Sequence, residues 1–200
     1  MRSKYLSNPI YKKFDEIYLE FQRIYGDKDK RVQLFGKFIF IDYRNFIKNK
    51  SELFWHLSSI ETTEKYDVNP CTNEVGLGVC KYIDFCENNI ILDDDLIKEL
   101  KRIPCIYRSS RILWVDEIIR LANEKSEFIK IWEVTDRRSN KQKIKIRFQN
   151  ETVDYIIILS KLRKDAYKLI TAFPIVYKRS KQRYNKQFNE KMAKKKPDGS

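Results

Sequence analysis

The last third of the chain contains four apolar segments that are separated by short polar turns. They cover residues 128–134, 144–148, 155–159 and 167–173. Strict alternation of apolar and polar residues, as at Ile144, Ile146 and Phe148, is typical of a strand with one buried face. Turns of a few residues leave no room for a crossover helix, so neighbouring strands are expected to run antiparallel. The sequence therefore predicts a four-stranded antiparallel meander.

The first two thirds of the chain predict helices instead. Apolar residues recur at helical spacing from Pro9 to Tyr25, and a proline suits the first turn of a helix. The remaining expected elements are a strand at 36–42, helices at 45–58, 78–89, 96–103 and 111–123, a loop at 61–76 and a helix cap at 93–95. The expected fold class is therefore α+β, with N-terminal helices followed by the antiparallel sheet.

The length and composition fit one globular domain with additions. Of 200 residues, 42% are hydrophobic, which is enough to bury a core. We expect an N-terminal helix over residues 1–30, a main domain over 31–178 with a helical insertion at 61–123, and a basic tail over 179–200. The tail beyond Lys178 is expected to be a loosely held helix.

Several kinds of protein and site are disfavoured by the sequence. No run approaches a membrane span, and the N-terminus lacks the apolar core of a secretory signal. The four cysteines match no zinc spacing, no glycine-rich loop could hold a nucleotide, and no glycine-flanked serine suggests a catalytic triad. We therefore expect a cytoplasmic protein with no cofactor, no metal and no membrane partner.

Positive charge is concentrated at the C-terminal end. From Lys161 to Ser200 there are thirteen Lys and Arg residues against three acids, so this stretch supplies most of the formal net charge of +13. The segment 61–100 is acidic and is expected to be a solvated face. A basic surface that contains tyrosines, on the last strands and the tail, indicates a polyanionic partner, of which nucleic acid is the commonest.

The candidate residues suit RNA cleavage without a metal ion. The 2′-OH of RNA attacks the neighbouring phosphate when one group removes its proton and cations stabilise the phosphorane. The candidate catalytic residues are His56, Lys161, Arg163, Tyr167 and Thr171. The candidate nucleic-acid-binding residues are Lys164, Lys168, Tyr177, Lys178, Arg179, Lys181 and Arg183.

Each candidate also has a structural interpretation. His56, the only imidazole, could pack between its aromatic neighbours, and Lys161 to Lys164 could be a solvated hairpin turn. Tyr167 could be an exposed strand aromatic, and Thr171 could fill a cross-strand position.

The chain also resembles a known family in the order of its segments. The aromatic-His-Leu segment Phe54 to Leu57 is followed by helices, by Trp132-Glu-Val-Thr135, by Asp154-Tyr-Ile-Ile-Ile158 and by Tyr167-Lys-Leu-Ile-Thr-Ala-Phe-Pro174. This order, over about residues 36–177, resembles the phage-associated nucleases of the Barnase–EndoU–colicin–RelE-like superfamily, which are metal-independent RNases often carried as toxins. The resemblance implies that His56 is the acid/base, that residues 161–164 contact phosphate, and that Tyr167 and Thr171 lie near the scissile bond.

Three functions remain open from the sequence. The first is a metal-independent endoribonuclease, a toxin or phage-defence effector that cuts RNA (tRNA is one candidate target) to a 2′,3′-cyclic phosphate. The second is a non-catalytic module that binds RNA or DNA through a basic sheet and tail. The third is an interaction protein whose tail binds an acidic partner, such as an inhibitor protein.

Overall fold

The computed structural model describes residues 9–27, 32–61, 98–99, 101–136, 139–163 and 165–194, and within these ranges it leaves out the side chains of 9–12, 103 and 163. The chain divides into two compact units. Unit 1 comprises Met1–Val32 and Ile41–Trp114, and unit 2 comprises Gln33–Phe40 and Val115–Ser200. The fold class is α+β, as predicted. The predicted domain boundaries at residues 30 and 178 stay a prediction.

Unit 1 begins with helix α1, Pro9–Tyr25, which confirms the predicted helix. Its buried aromatic residues recur at intervals of three or four and therefore share one face: Phe14, Tyr18, Phe21 and Tyr25. This face packs on Phe54, whose ring centroid lies 4.8 Å from that of Tyr18. The contact anchors the segment that carries His56.

The segment 45–58 does not form the single helix that its apolar spacing predicts. Strands β3 (Phe46–Ile47) and β4 (Lys50–Ser51) form a hairpin, and only Glu52–Ser58 is helical, as α2. The two residues of the hairpin turn have positive φ angles of 46° and 61°. This left-handed conformation cannot belong to an α-helix, and it sets the register of the hairpin.

A strand pairing replaces the end of another predicted helix in unit 1. Strand β5, Ser59–Glu61, pairs antiparallel with β6, Arg102–Pro104, so the prediction of a helix that extends to residue 103 is wrong. Backbone hydrogen bonds from a distant strand outweigh the local helical pattern there. The short helix α3, Ile106–Ser109, follows. The predicted loop at 61–76 beyond Glu61, the helix at 78–89 and the cap at 93–95 lie outside the described residues.

Unit 2 contains a mixed sheet of six strands in the order β1-β2-β10-β9-β8-β7. Its strands are β1 Gln33–Leu34, β2 Lys37–Phe40, β7 Ile129–Thr135, β8 Gln142–Gln149, β9 Asp154–Arg163 and β10 Ala166–Pro174. Strands β7 to β10 form the predicted antiparallel meander. The four-stranded prediction is incomplete, because β2 adds to the sheet in parallel with β10. Most of the chain separates these two strands, so no short turn dictates their direction.

Helix α4, Trp114–Asn123, begins three residues later than predicted. Its buried residues recur at helical spacing: Val115, Ile118, Ile119 and Ala122. At the end of the helix, the Asn123 side chain accepts a hydrogen bond from the backbone N–H of Phe35 and donates one to the carbonyl of Gln33, both at 2.8 Å. These bonds tie α4 to the turn between β1 and β2.

Helix α5, Lys178–Ala193, covers one face of the sheet, which we call the helix face. Tyr184 is buried there with Trp132, Ile156 and Ile175, and the partly buried Phe188 packs against this cluster. The ring centroids of Tyr184 and Phe188 lie 6.3 Å and 5.8 Å from that of Trp132. The segment that we expected to be loosely held is therefore a packed helix up to Ala193, because two aromatic residues four positions apart bind it to the sheet.

A β-bulge interrupts the pairing of β9 with β10. Leu169 pairs with Leu159, whereas Thr171 pairs with Ile158, so Ile170 is an extra residue on β10. An extra residue reverses the alternation of side chains beyond it. Residues of β10 that strict alternation would place on one face therefore lie on opposite faces before and after the bulge.

Candidate active site and nucleic-acid interface

His56, the one histidine of the chain, lies in α2 of unit 1. Its neighbours Phe54, Trp55 and Leu57 are buried, whereas His56 itself is half-buried. Among the described residues, neither ring nitrogen of His56 makes a hydrogen bond. An imidazole whose nitrogens form no hydrogen bond with the described residues can exchange a proton with a bound ligand.

Two arginines that follow the acidic segment converge on the end of α2. Arg102 Nε donates to Ser59 Oγ at 2.8 Å, and its Nη2 donates to the carbonyls of Ser59 at 2.9 Å and of His56 at 3.4 Å. Arg108 Nη1 donates to the same Ser59 carbonyl at 2.6 Å. Both guanidinium groups therefore donate to the Ser59 carbonyl just after the helix, and Arg102 also donates to the His56 carbonyl in its last turn. We call His56, Arg102 and Arg108 the His56 cluster.

The surroundings of the His56 cluster keep the imidazole neutral. Burial, followed by the positive charges of Arg102 and Arg108, lowers the pKa of His56 from 6.5 to about 4. The carboxylates of Glu61 and Glu52 act in the opposite direction and are weaker. At neutral pH the imidazole is therefore unprotonated and has an available lone pair, although its low pKa makes it a weaker base than a free imidazole.

Arg102 of the His56 cluster pairs with an exposed carboxylate. Arg102 Nη1 lies 3.3 Å from a carboxylate oxygen of Glu61, whose side chain is 59% exposed and therefore strongly solvated. An anion that contacts both guanidinium groups would offset their charge and raise the pKa of His56 again. A neutral base can accept the proton of a 2′-OH, and cations can offset the charge that develops on a phosphorane.

Lys161 and Tyr167 lie opposite each other on β9 and β10 in unit 2. Tyr167 is buried on the face opposite the helix face, and Lys37 Nζ lies 5.8 Å from the centroid of its ring. Burial and the carboxylate of Glu133 raise the pKa of Tyr167, while Lys161 lowers it. The phenol is therefore protonated at neutral pH. The structure thus brings two of the predicted site residues, Lys161 and Tyr167, together and adds Lys37 to them.

Thr171 does not join Lys161 and Tyr167. The bulge at Ile170 places it on the helix face, where it pairs with Ile158. Lys168 also lies on the helix face, paired with Ser160 of β9. The predicted group of residues on β10 is therefore divided between the two faces of the sheet.

Arg163 is the last residue of β9, and the remaining predicted residues that the structure describes lie on α5 or directly before it. The side chain of Arg163 and all of Lys164 lie outside the described residues. On α5, Lys178, Arg179 and Arg183 are exposed. Tyr177, the residue before the helix, and Lys181 are half-buried. His56 belongs to unit 1, whereas every other predicted site residue belongs to unit 2.

Sequence reasoning missed two groups of basic residues. Arg102 and Arg108 reach His56 only because β6 pairs with β5 and α3 follows, and no local pattern indicates this pairing. Lys143, Lys145 and Arg147 alternate with isoleucines on β8, so they share the helix face with Trp132. The alternation Lys-Ile-Lys-Ile-Arg is visible in the sequence and could have indicated a basic stripe on one face of a strand.

Among known proteins, no protein-family model, no curated protein and no solved structure matches this chain. Within the described parts of the chain, no helix is both long and apolar enough to span a membrane. The same residues contain no group of three or more His, Cys, Asp and Glu side chains that could hold a metal ion.

Proposed function

We propose that this protein is a metal-independent endoribonuclease in which His56 is the general base. The observation that carries the proposal is the His56 cluster: a neutral imidazole, with no hydrogen bond to a described residue, beside two guanidinium groups. A histidine with a purely structural role would be expected to form a hydrogen bond to a protein partner through at least one ring nitrogen. RNA is the matching substrate class, because its 2′-OH supplies the nucleophile.

The proposed reaction uses the groups of the cluster in one displacement. His56 takes the proton of the 2′-OH, the 2′ oxygen forms a bond to phosphorus, and the bond from phosphorus to the 5′ oxygen breaks. The 5′ oxygen takes a proton from water, and the imidazolium later returns its proton to solvent. Arg102 and Arg108 offset the charge that develops on the phosphorane oxygens. The products are a 2′,3′-cyclic phosphate and a 5′-hydroxyl end.

Unit 2 would supply RNA binding. Lys161 and the cations Lys178, Arg179 and Arg183 of α5 are exposed, as contacts to a phosphate backbone require. These residues lie on several elements of unit 2, so we assign them to affinity and not to the chemical step. The resemblance to Barnase–EndoU–colicin–RelE-like nucleases supports this assignment, and it extends the proposal to a cytoplasmic toxin or phage-defence effector, with an acidic inhibitor protein as a second partner.

The first test is an RNA cleavage assay in EDTA. Purified protein is incubated with total RNA and with a tRNA pool, alongside His56→Ala. We expect discrete fragments with 2′,3′-cyclic phosphate ends from the wild-type protein and none from the variant. Cutting by both proteins would remove His56 from the mechanism.

A pair of arginine variants tests the second part of the cluster. Arg108→Gln is expected to lower kcat/KM about a hundredfold, since it removes one cation from the phosphorane. Arg120→Gln is the matched control, because Arg120 is an exposed arginine of unit 2 that pairs with Glu117 and Glu124. Thermal unfolding of both variants separates loss of chemistry from loss of the fold. Equal activity of the two variants would count against the His56 cluster.

A non-catalytic binding module is the second candidate, and the exposed cations of α5 favour it. In that case Arg102 and Arg108 only cap α2, and no RNA is cut under any condition. Reversing the charges of Arg179 and Arg183 would then weaken RNA binding and reduce its salt dependence, while His56→Ala would leave binding unchanged.

A further inference from the structure

The helix face of unit 2 carries three cations of β8 under or beside α5. Each has a different partner. Arg147 is fully buried and forms two hydrogen bonds with the carboxylate of Asp154, at 2.7 Å and 2.6 Å. Lys143 Nζ binds Asp136 at 2.6 Å. Lys145 binds only a neutral group among the described residues, the Oε1 atom of Gln187 on α5 at 2.7 Å.

The Lys145 side chain is buried between two aromatic rings and a second cation. It is 9% exposed, and its Nζ lies 5.0 Å from the ring centroid of Tyr184 and 6.0 Å from that of Trp132. The guanidinium of Arg183 lies 4.9 Å from the centroid of the same Tyr184 ring. Two cations therefore approach one aromatic ring.

These cations repel one another. Burial, then Arg183 and Lys143, lower the pKa of Lys145 from 10.5 to about 8. Among the described residues, Asp136 is the one carboxylate that favours the charged form of Lys145, and it already binds Lys143. The group of Lys143, Lys145 and Arg183 thus has a surplus of positive charge that no carboxylate in the described part of the chain offsets.

A neutral hydrogen-bond donor at this place, the Trp132 indole, also has no acceptor among the described residues. The Trp132 indole is 1% exposed, and its Nε1–H makes no hydrogen bond among the described residues. A buried N–H without an acceptor is costly and rare. Trp132 pairs directly with Lys145 across β7 and β8, so this donor belongs to the same group.

The geometry points to a phosphate-binding site formed by Lys143, Lys145 and Arg183 where α5 meets the sheet, with the Trp132 indole as a further donor. A phosphate oxygen would neutralise the surplus charge and can accept several charge-assisted hydrogen bonds at once. The site shares Arg183 with the exposed cations of α5, but its central residue, Lys145, is buried and is held by the Gln187 side chain of the helix. It does not depend on RNA cleavage, because the His56 cluster belongs to unit 1.

The phosphate could belong to a free nucleotide or to an RNA backbone, and the test distinguishes them. Thermal unfolding of His56→Ala is followed at constant ionic strength while sodium chloride is replaced by inorganic phosphate, by adenosine 5′-monophosphate or by a short RNA with a 5′-hydroxyl end. The His56→Ala background removes the proposed cleavage from the measurement, so the outcome is independent of the proposed function. A ligand that binds only the folded state raises the melting temperature.

Lys145→Met is the decisive variant, and Lys130→Met is its control. Lys130 also lies on the helix face, with its Nζ 5.7 Å from the ring centroid of Phe188. It does not belong to the group of cations whose charges lower the pKa of Lys145. We expect Lys145→Met to be more stable than its parent without ligand, because it removes a buried and repelled charge, and to bind phosphate about tenfold or more weakly. Lys130→Met is expected to respond to phosphate as its parent does.

The pattern of responses identifies the ligand or overturns the site. A Lys145-dependent response to phosphate and to the nucleotide identifies a small ligand, whereas a response to RNA alone identifies a backbone phosphate. If Lys145→Met responds like Lys130→Met, or if none of the three ligands stabilises the parent protein beyond sodium chloride, the proposed site is wrong.

Discussion

The neutral state of His56 has a consequence for stability that can be measured. The perturbation is a change from about pH 7.5 to about pH 5, applied to the wild-type protein and to His56→Asn. The pKa of His56 falls from 6.5 in the unfolded chain to about 4 in the folded protein. Between pH 6.5 and about pH 4 the unfolded state therefore binds a proton that the folded state does not bind. The free energy of unfolding that the neutral imidazole contributes is fully present above pH 6.5 and is lost as the pH falls towards 4.

The magnitude follows from the two pKa values. At about pH 5 the unfolded state gains about 2 kcal/mol over the folded state from this one histidine, and the full difference below pH 4 approaches about 3 kcal/mol. Carboxylates also titrate in this range, but they do so in both proteins. The difference between wild type and His56→Asn therefore isolates the imidazole.

Urea unfolding at the two pH values measures this difference. We expect the wild-type protein to lose about 2 kcal/mol more than His56→Asn between about pH 7.5 and about pH 5. The protein contains one histidine, so a single imidazole C2 proton resonance reports its titration without assignment. Equal losses in the two proteins, together with an NMR midpoint near 6.5, would refute the argument that burial, Arg102 and Arg108 hold this imidazole neutral.

Three further predictions concern pH, the buried ion pair and the surface of α5. If neutral His56 is the base, kcat/KM for RNA is expected to increase as the pH is raised to about 4 and to stay constant from there to neutral pH. A decrease of kcat/KM above pH 4 would instead assign His56 the role of an acid. Asp154→Asn is expected to destabilise the protein by about 3 kcal/mol in urea unfolding, because it leaves the fully buried Arg147 without its counter-charge, and a change below about 1 kcal/mol would contradict this. Replacing the exposed Arg179 and Lys186 by glutamate is expected to weaken RNA binding without changing the melting temperature. The slope of log affinity against log salt concentration is expected to become shallower by about 2. An unchanged slope would show that this face of α5 does not belong to the RNA interface.

The parts of the fold that were predicted correctly depend on local periodicity. Alternation at Ile144, Ile146 and Phe148 marks β8, and short polar turns force the antiparallel order of β7 to β10. Helix α1 follows equally directly from its apolar spacing. In each case neighbouring residues decide the type of element, whereas the burial of Lys145 and Arg147 on the second face of β8 depends on the packing of α5.

The parts that were missed depend on backbone geometry or on distant partners. The hairpin before α2 has apolar residues at nearly helical spacing, but its turn adopts positive φ. Strand β6 forms only because β5 supplies its hydrogen bonds. The bulge at Ile170 reverses the face on which Thr171 lies, and a single extra residue leaves no signal in the alternation before it.

The sequence by itself determined that the chain is strongly basic, that its last third is a meander and that its single histidine is the natural candidate for proton transfer. Only the tertiary structure decided which charges surround that histidine and which cations meet on the sheet. The reason is physical: a pKa depends on burial and on charges a few ångströms away. Arg102 and Arg108 reach His56 through a strand pairing. Arg183 reaches Lys145 through the packing of a helix on the sheet.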